Sequence, residues 1–256
     1  MKRSKLACKL LCLLALACGV ARAATIDATG VDWSRGGSVV IREDNVDVNA
    51  YFAGVIFISL SDGGQTYYRD TLCVDLFTDI YLGQVYNTNL LRPQDVPQKD
   101  LTRVAWLVDN ALLPTQNSSY GSVLPRDEWV FSAAQGAGIQ LAIWDIVHDG
   151  GDGLSSGRVQ AASADDANNN GLGATDPTVL LWAQSYESLS QDQSSDVAFV
   201  YNNVDLGGTV AQMLIGPEFS DGGPQPAPEP RMLMPAGAAL IALSLALRHY
   251  ASGKKL

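Results

Sequence analysis

The chain has 256 residues and a formal net charge of −10. All 27 acidic residues lie between residues 24 and 230, where only eight Lys and Arg occur, an excess of 19 negative charges. An excess of that size argues against nucleic acid or an anionic membrane surface as a partner of this part of the chain. The same stretch is long enough for one domain with a sizeable core.

The N-terminus has the three parts of a secretory signal peptide. Four basic residues within the first nine precede an apolar run from Leu10 to Val20, and the small residues Ala21 and Ala23 follow. The run is too short to span a bilayer comfortably. We expect signal peptidase to remove residues 1–23, so that the exported domain begins at residue 24 and extends to residue 220.

Residues 25–86 have the pattern of neighbouring antiparallel strands, with β-branched and alternating apolar runs separated by turn residues. Asp62, Gly63 and Gly64 form a hairpin-type turn signal between two of these runs. The third run contains Cys73. The predicted strands are 38–41, 46–60, 65–77 and 80–86.

Helical spacing of apolar residues replaces this pattern further along the chain. We expect polar loops at 117–120 and 150–176, the second of them mobile. The predicted helices are 98–113, 125–148 and 178–189, and the predicted closing strands are 197–201 and 209–215. This order predicts an α+β domain, mostly an antiparallel β sandwich or open barrel, with an inserted helical part of two to three helices.

The C-terminus has a second tripartite pattern. A proline-rich stretch at 221–231 reads as a semi-rigid linker, and an apolar run at 232–247 precedes a basic tail at 248–256. The positive-inside rule places that tail in the cytoplasm, which predicts a transmembrane segment at 232–247.

Pro228, Glu229 and Pro230, together with this run and tail, resemble a PEP-CTERM sorting signal of Gram-negative bacteria that make exopolysaccharide. The resemblance implies processing by an exosortase, an integral-membrane transpeptidase-like enzyme. It also implies an inner-membrane intermediate followed by release to the cell surface or extracellular matrix. A plain C-terminal membrane anchor is the alternative.

Cys73 is the only cysteine after the signal peptide, so it has no intramolecular disulfide partner in the exported domain. An unpaired thiol in an oxidising compartment must be buried and inert, paired between chains, catalytic or covalently capped. Gln140 offers a cap, because a thiolate that attacks a carboxamide releases ammonia and leaves a thioester. Trp144 follows one helical turn later on the same face and is placed to cover such a bond. Gly136 and Gly138, just before Gln140, suggest a close backbone approach there.

The segments 72–75 (Leu-Cys-Val-Asp) and 139–144 (Ile-Gln-Leu-Ala-Ile-Trp) resemble the two motifs of the Cys–Gln thioester domains of bacterial surface adhesins. The resemblance implies a thioester between Cys73 and Gln140, with Trp144 and Asp75 as shielding residues. Members of that family are β-sandwich-like domains with an inserted helical part, and some attach covalently to amines.

The resemblance implies a binding protein rather than an enzyme, without a cofactor, which couples to an amine or hydroxyl partner such as a surface amine or polysaccharide. A role in adhesion or biofilm follows. Lys99 is the only lysine between residues 24 and 230, which suits a domain that carries an acylating group.

Three alternatives remain open from the sequence. Cys73 can be a buried free thiol in a non-covalent structural protein of the matrix. Cys73 and His148 can form the nucleophile–base pair of a hydrolase or transferase. Asp166, Asn168 and Asn170 match the first half of a calcium-binding loop, although Pro177 stands where a bidentate Glu is expected.

Overall fold

A computed structural model describes residues 24–96, 101–111, 114–120, 124–129, 131–166 and 168–218. The predicted signal peptide (1–23), linker with its sorting motif (221–231), transmembrane segment (232–247) and basic tail (248–256) lie outside the described residues. Among the residues that the structure describes, no helix is both long and apolar enough to cross a membrane.

The described chain is mostly antiparallel sheet with three α-helices, which confirms the predicted α+β class. The strands are β1 (Ala24–Glu43), β2 (Asp47–Asp62), β3 (Gln65–Cys73), β4 (Val85–Leu91), β5 (Pro114–Tyr120), β6 (Leu124–Trp129), β7 (Val159–Ala161), β8 (Phe199–Val204) and β9 (Leu214–Gly216). The helices are α1 (Thr102–Trp106), which continues into a π-helical turn (Leu107–Ala111), α2 (Ala133–Asp149) and α3 (Pro177–Ser190). A 3-10 turn covers Pro93–Asp95.

Six strands pair in a closed circuit. β1 and β2 pair along most of their length, and the circuit then runs through β3, β9, β8 and β4 before β4 returns to β1. Sequence patterns left a sandwich or an open barrel as expectations, whereas these hydrogen-bonded pairings close on themselves. β7 attaches to the far end of β1, and β5 and β6 form a separate two-stranded sheet.

The predicted turn between β2 and β3 is confirmed. Gly63 and Gly64 have φ values of +61° and +84°, which a residue with a Cβ atom adopts at a cost. The β1–β2 connection turns in a similar way at Asp44 and Asn45, whose φ values are also positive. Both hairpins fix the register that brings the end of β3 to its place in the circuit.

The predicted start of the long helix is wrong. Helix α2 begins at Ala133, where Ser132 and Gln135 form a capping box in which each side chain bonds to the other residue's backbone N–H. The preceding residues 124–129 instead form β6, which pairs with β5, so the loop expected at 117–120 is strand. The predicted end is close, because Gly150 adopts a left-handed conformation directly after Asp149.

Other element boundaries shift as well. Of the helix expected at 98–113, the described residues form α1 and the π-helical turn, while 98–100 and 112–113 lie outside them. The strand expected at 80–86 is an irregular segment up to β4. The loop at 150–176 contains β7, while α3 agrees with its prediction to within one residue at each end. The strand expected at 209–215 shortens to β9, and the strand expected at 197–201 becomes β8.

Helix α2 lies at the centre of the core and packs against β1, β2 and α3. Nearly every residue from Gly136 to Ile146 is buried, since one side of the helix joins the apolar cluster that contains Leu141 and Trp144 and another joins the cluster of Ile139 and Ile143. A helix that is apolar on all sides belongs inside a protein. The glycines permit this position: a Cβ on Gly136 would lie 2.0 Å from the carbonyl oxygen of Arg35.

Candidate functional site

Cys73 ends β3 at a point where one side of the strand has lost its neighbour. Val74 donates its backbone N–H to the carbonyl oxygen of Met213 at 2.8 Å, toward β9. Because backbone groups alternate along a strand, the N–H and C=O of Cys73 point the other way, toward β2. The β2–β3 pairing stops at the Ile56–Thr71 pair, so β2 supplies no ladder bond there.

The side chain of Gln140 takes that place. Its Oε1 accepts a hydrogen bond from the backbone N–H of Cys73 at 2.8 Å, and its Nε2 donates to the backbone C=O of Cys73 at 2.6 Å. Gln140 is completely buried and Cys73 is 5% exposed. The two residues that the sequence paired, 67 positions apart, are therefore in direct contact through a carboxamide and a strand backbone.

Close packing of α2 brings Gln140 to the strand. Gly136 lies against the backbone of Arg35 in β1, and Gly138 lies against α3, where an added Cβ would come within 2.5 Å of the Cβ of Trp182. The close backbone approach expected from these glycines is confirmed. Any side chain at either position would move the helix and with it the carboxamide.

Trp144, the predicted shielding residue, lies one helical turn after Gln140 on α2. It is 1% exposed, and its ring meets Tyr51 edge to face with centroids 6.2 Å apart. Cys73 and Trp144 both line a cavity of about 160 Å³. The other lining residues are Val31, Tyr51, Phe52, Ile56, Leu76, Asp79, Ile80, Leu82 and Gln212.

The cavity is mostly apolar, with few polar groups on its walls. Asp79 and Gln212 are polar, and the indole Nε1 of Trp144 has no hydrogen-bond partner among the described residues. Sequence patterns did not single out Tyr51, Phe52, Asp79 or Gln212 as site residues. They come from β2 and from two separate loops, and no short motif surrounds them.

Cys73 is held in the neutral form. Burial raises the pKa of its thiol, and the nearby charge of Asp75 raises it further. An activated nucleophilic cysteine has a lowered pKa instead. The position therefore suits an uncharged sulfur, either a thiol or a thioester.

Asp75 orders the turn that follows Cys73. Its Oδ1 accepts a hydrogen bond from the backbone N–H of Phe77 at 3.2 Å, and its backbone C=O accepts one from Gln212 Nε2 at 2.7 Å. Gln212, which lines the cavity, is thereby tied to the segment next to Cys73. Asp75 lies beside the cavity residues and acts on the thiol through its charge.

His148 contacts the same turn. Its Nε2 accepts a hydrogen bond from the backbone N–H of Leu76 at 3.4 Å and lies 3.7 Å from Asp75 Oδ1. Its ring meets Phe77 edge to face, with centroids 4.6 Å apart. With the pKa of the thiol raised, these contacts fit a structural histidine better than the base of a Cys73–His148 pair.

Two of the three residues of the predicted calcium loop, Asp166 and Asn168, bond to other parts of the protein. The carboxylate of Asp166 accepts a hydrogen bond from Arg42, which lowers its pKa, and Asn168 donates to the carbonyl oxygen of Val46 at 2.8 Å. Asn170 adopts a left-handed conformation with φ +52°. These contacts attach the loop to the β1–β2 hairpin.

Fold and site together describe a mostly antiparallel α+β domain in which a central helix places a buried glutamine on the backbone of a buried cysteine. Comparison with family models, with curated proteins and with solved structures gives no match to this chain. The contact between Cys73 and Gln140 is therefore the feature from which function is inferred.

Proposed function

We propose that this chain is an exported surface or matrix protein with an internal thioester between Cys73 Sγ and the side-chain carbonyl carbon of Gln140. The observation that carries the proposal is the pair of hydrogen bonds, 2.8 and 2.6 Å long, that holds the carboxamide on Cys73. Rigid elements hold both residues, which favours intramolecular reaction over hydrolysis.

Formation of the thioester needs only the atoms of the two side chains and no other reactant. The neutral thiol of Cys73 attacks the carbonyl carbon of Gln140 and passes its proton to the departing nitrogen; an S–C bond forms, the C–N bond breaks, and the nitrogen leaves as ammonia. The backbone N–H of Cys73 already donates to Gln140 Oε1, the oxygen on which negative charge develops. A donor at that position stabilises the tetrahedral intermediate.

The bond then serves as an acyl donor. An amine or hydroxyl of a partner attacks the carbonyl carbon, the C–S bond breaks, and the proton of the nucleophile passes to sulfur as the thiol of Cys73 re-forms. Burial and the cover of Trp144 support a bond that persists in water, because a thioester hydrolyses where water has access. The cavity beside Cys73 and Trp144 supports a route by which a slender nucleophile reaches it.

The proposed location follows from the ends of the sequence. Signal peptidase removes residues 1–23, and an exosortase acts at the segment that carries Pro228, Glu229 and Pro230. The protein passes through an inner-membrane intermediate and then reaches the cell surface or matrix. The covalent partner is an amine- or hydroxyl-bearing polymer, and the single lysine of the exported domain limits reaction between copies of the chain.

Intact mass spectrometry of the full-length chain tests the proposal. We expect a mass lower than the sequence requires by one ammonia, and the full sequence mass for Cys73→Ala and for Gln140→Ala. Methylamine should remove the deficit, leave a methylamide on Gln140 and expose a thiol that iodoacetamide then labels. A measured mass equal to that of the sequence, together with ready alkylation of Cys73 in the native protein, would refute the thioester.

A non-covalent structural protein is the second candidate. Here Cys73 is a buried thiol in the apolar core, and Gln140 serves only to satisfy the backbone at the end of β3. The observation in its favour is that both polar groups of the carboxamide already have partners. This candidate predicts a mass equal to that of the sequence and no change of mass with methylamine. Iodoacetamide should then label Cys73 only after the protein is unfolded.

A further inference from the structure

The end of α2 and the loop after it bring three carboxylates together. Asp145 and Asp149 lie on the last turns of the helix, and Asp152 follows in the glycine-rich loop. One carboxylate oxygen from each lies within 4.8 Å of the other two. Their exposure increases along the chain, with Asp145 buried, Asp149 intermediate and Asp152 exposed. The group is therefore reachable from solvent at one end.

A fourth carboxylate, on another helix, lies close enough to Asp145 for the charge of Asp145 to act on it. Glu187, on α3, is 8% exposed, and its Oε1 has no hydrogen-bond partner among the described residues. Asp145 is 0% exposed, and its Oδ1 likewise lacks a partner there. A buried carboxylate oxygen without a donor is costly, and two of them side by side are costlier because like charges repel.

The titration of the two buried acids reflects that cost. Burial raises the pKa of Asp145 to about 6, and the charges of Asp152 and Asp149 raise it further. Burial also raises the pKa of Glu187 to about 7, and the negative charge of Asp145 is the second cause of this increase.

Arg103 connects the end of α2 to α3 beside this group. The guanidinium of Arg103 donates to the backbone C=O of Gly150 at 2.7 Å, to the backbone C=O of Glu187 at 2.8 Å and to Ser190 Oγ at 3.0 Å. Arg103 thus fixes the two backbones that carry the acids, but its described bonds go to neutral oxygens. Arg158 is a second cation near the group: its charge interacts with that of Asp149, whose two carboxylate oxygens also accept hydrogen bonds from the backbone N–H groups of Arg158 and Val159.

We propose that Asp145, Asp149, Asp152 and Glu187 form a binding site for a hard divalent cation, with calcium as the favoured ion. Carboxylate oxygens are the ligands that such cations prefer, and calcium tolerates the irregular geometry of side chains from a helix end, a loop and a second helix. A protein outside the cell meets calcium at concentrations that suit sites with dissociation constants of about 10⁻⁴–10⁻³ M.

The cation would connect α2, α3 and the loop after α2. Gln140 and Trp144 lie on the same helix as Asp145, so the ion would stabilise the element that carries the candidate thioester. Cation binding does not itself require the thioester, and the two proposals can fail separately.

Calcium titration of the full-length chain in detergent, after removal of metal with EGTA, tests the site. We expect calcium chloride to raise the melting temperature, and terbium to give luminescence sensitised by Trp182, which lies on α3 like Glu187. Loss of an outer partner of a metal ligand typically weakens binding ~10–100-fold. Glu187→Gln and Asp145→Asn each remove a ligand charge and should weaken calcium binding roughly tenfold or more.

The melting temperatures of the variants without calcium are a second measurement. Glu187→Gln removes a like charge from a buried pair, so its melting temperature without calcium should equal or exceed that of the parent chain while its calcium response is lost. Asp196→Asn, an exposed acid elsewhere, should respond like the parent. The proposal is overturned by a parent chain that ignores calcium, by Glu187→Gln binding as tightly as the parent, or by loss of binding only in Asp166→Asn.

Discussion

At the scale of single residues, two side chains take the place of a missing strand. Gln140 bonds to both backbone groups of Cys73. Thr175 does the same for Val40 in β1: its Oγ1 accepts from the N–H at 2.8 Å and donates to the C=O at 2.9 Å. A buried backbone without such partners would carry a large penalty, so these side chains are structural requirements at irregular points of the sheet.

Gln140→Leu should destabilise the fold even where no thioester can form. In a Cys73→Ala background, the substitution leaves one buried N–H and one buried C=O without partners, at about 1–3 kcal/mol each. We therefore expect the free energy of unfolding, measured with urea, to fall by roughly 2–5 kcal/mol.

Gln84→Leu, at an exposed position, is the matched control and should change the free energy of unfolding little. A comparably small effect at Gln140 would contradict the role assigned to its carboxamide. The Cys73→Ala background matters because any effect on the proposed thioester is thereby separated from the loss of the hydrogen bonds.

The sequence identified the central pair of the site but not its surroundings. Cys73 and Gln140 stand in recognisable segments, and the unpaired cysteine made the first of them conspicuous. The partners of the acidic group could not be found in this way, because the contact between Asp145 and Glu187 depends on how α2 crosses α3. Each of these acids, taken alone, looks like an ordinary helix residue.

At the scale of elements, α2 is positioned by its lack of side chains at two points. A Cβ on Gly138 would lie 2.5 Å from the Cβ of Trp182 and 3.0 Å from the carbonyl oxygen of Val179, both on α3. Contacts that short with backbone and Cβ atoms cannot be relieved by a rotamer change alone. The two helices would have to separate.

Gly138→Ala should therefore destabilise the protein although alanine favours a helix. Alanine gains about 1 kcal/mol over glycine in helix propensity, while overpacking of a tight contact costs ~1–3 kcal/mol or more. We expect a net loss of roughly 1–2 kcal/mol in urea unfolding, together with a slower closing of the thioester as Gln140 moves.

Gly37→Ala provides the comparison, since an added Cβ there meets nothing within 4 Å and should be tolerated. If Gly138→Ala proved as stable as Gly37→Ala, close packing would not be what places α2.

Element boundaries show which sequence signals were decisive. The acidic residues Asp127 and Glu128 favour the start of a long helix at that point of the sequence. In the structure they lie in β6, and Ser132 and Gln135 cap the helix instead. A reciprocal capping pair satisfies specific backbone donors, whereas acidic residues favour a helix start only through its dipole. Helix α3 was predicted closely because Asp176 and Pro177 supply both a cap and a favoured first residue.

At the scale of the whole molecule, the topology was beyond the reach of local patterns. β4 lies between β1 and β8, and β9 lies between β8 and β3, so the circuit depends on pairings between strands far apart in the chain. Alternating apolar residues identify strands without naming their neighbours. The sequence therefore led to a mostly antiparallel domain but not to the closed order of its strands.

The charge of residues 24–230 should make the stability of the protein depend on salt. An excess of 19 negative charges produces self-repulsion, which salt screens. With EGTA present, raising sodium chloride from about 20 mM to about 500 mM should increase the melting temperature, since repulsive pairs outnumber surface ion pairs such as Arg158–Asp44. Potassium chloride should act equally. A decrease on adding salt would mean that the ion pairs dominate.

The position of β9 has a mechanical consequence for the proposed function. In β9, Leu214 lies opposite Cys73, and β9 is the last strand among the described residues. A protein held at its C-terminus and bonded to a partner through Gln140 would be loaded at these two points of the chain. The load would run from the anchor into β9 and across to β3 and α2, leaving most of the strand circuit outside the stretched path. Hydrogen bonds of β9 to β3 and β8 would bear the tension first, and the long β1–β2 pairing would be spared.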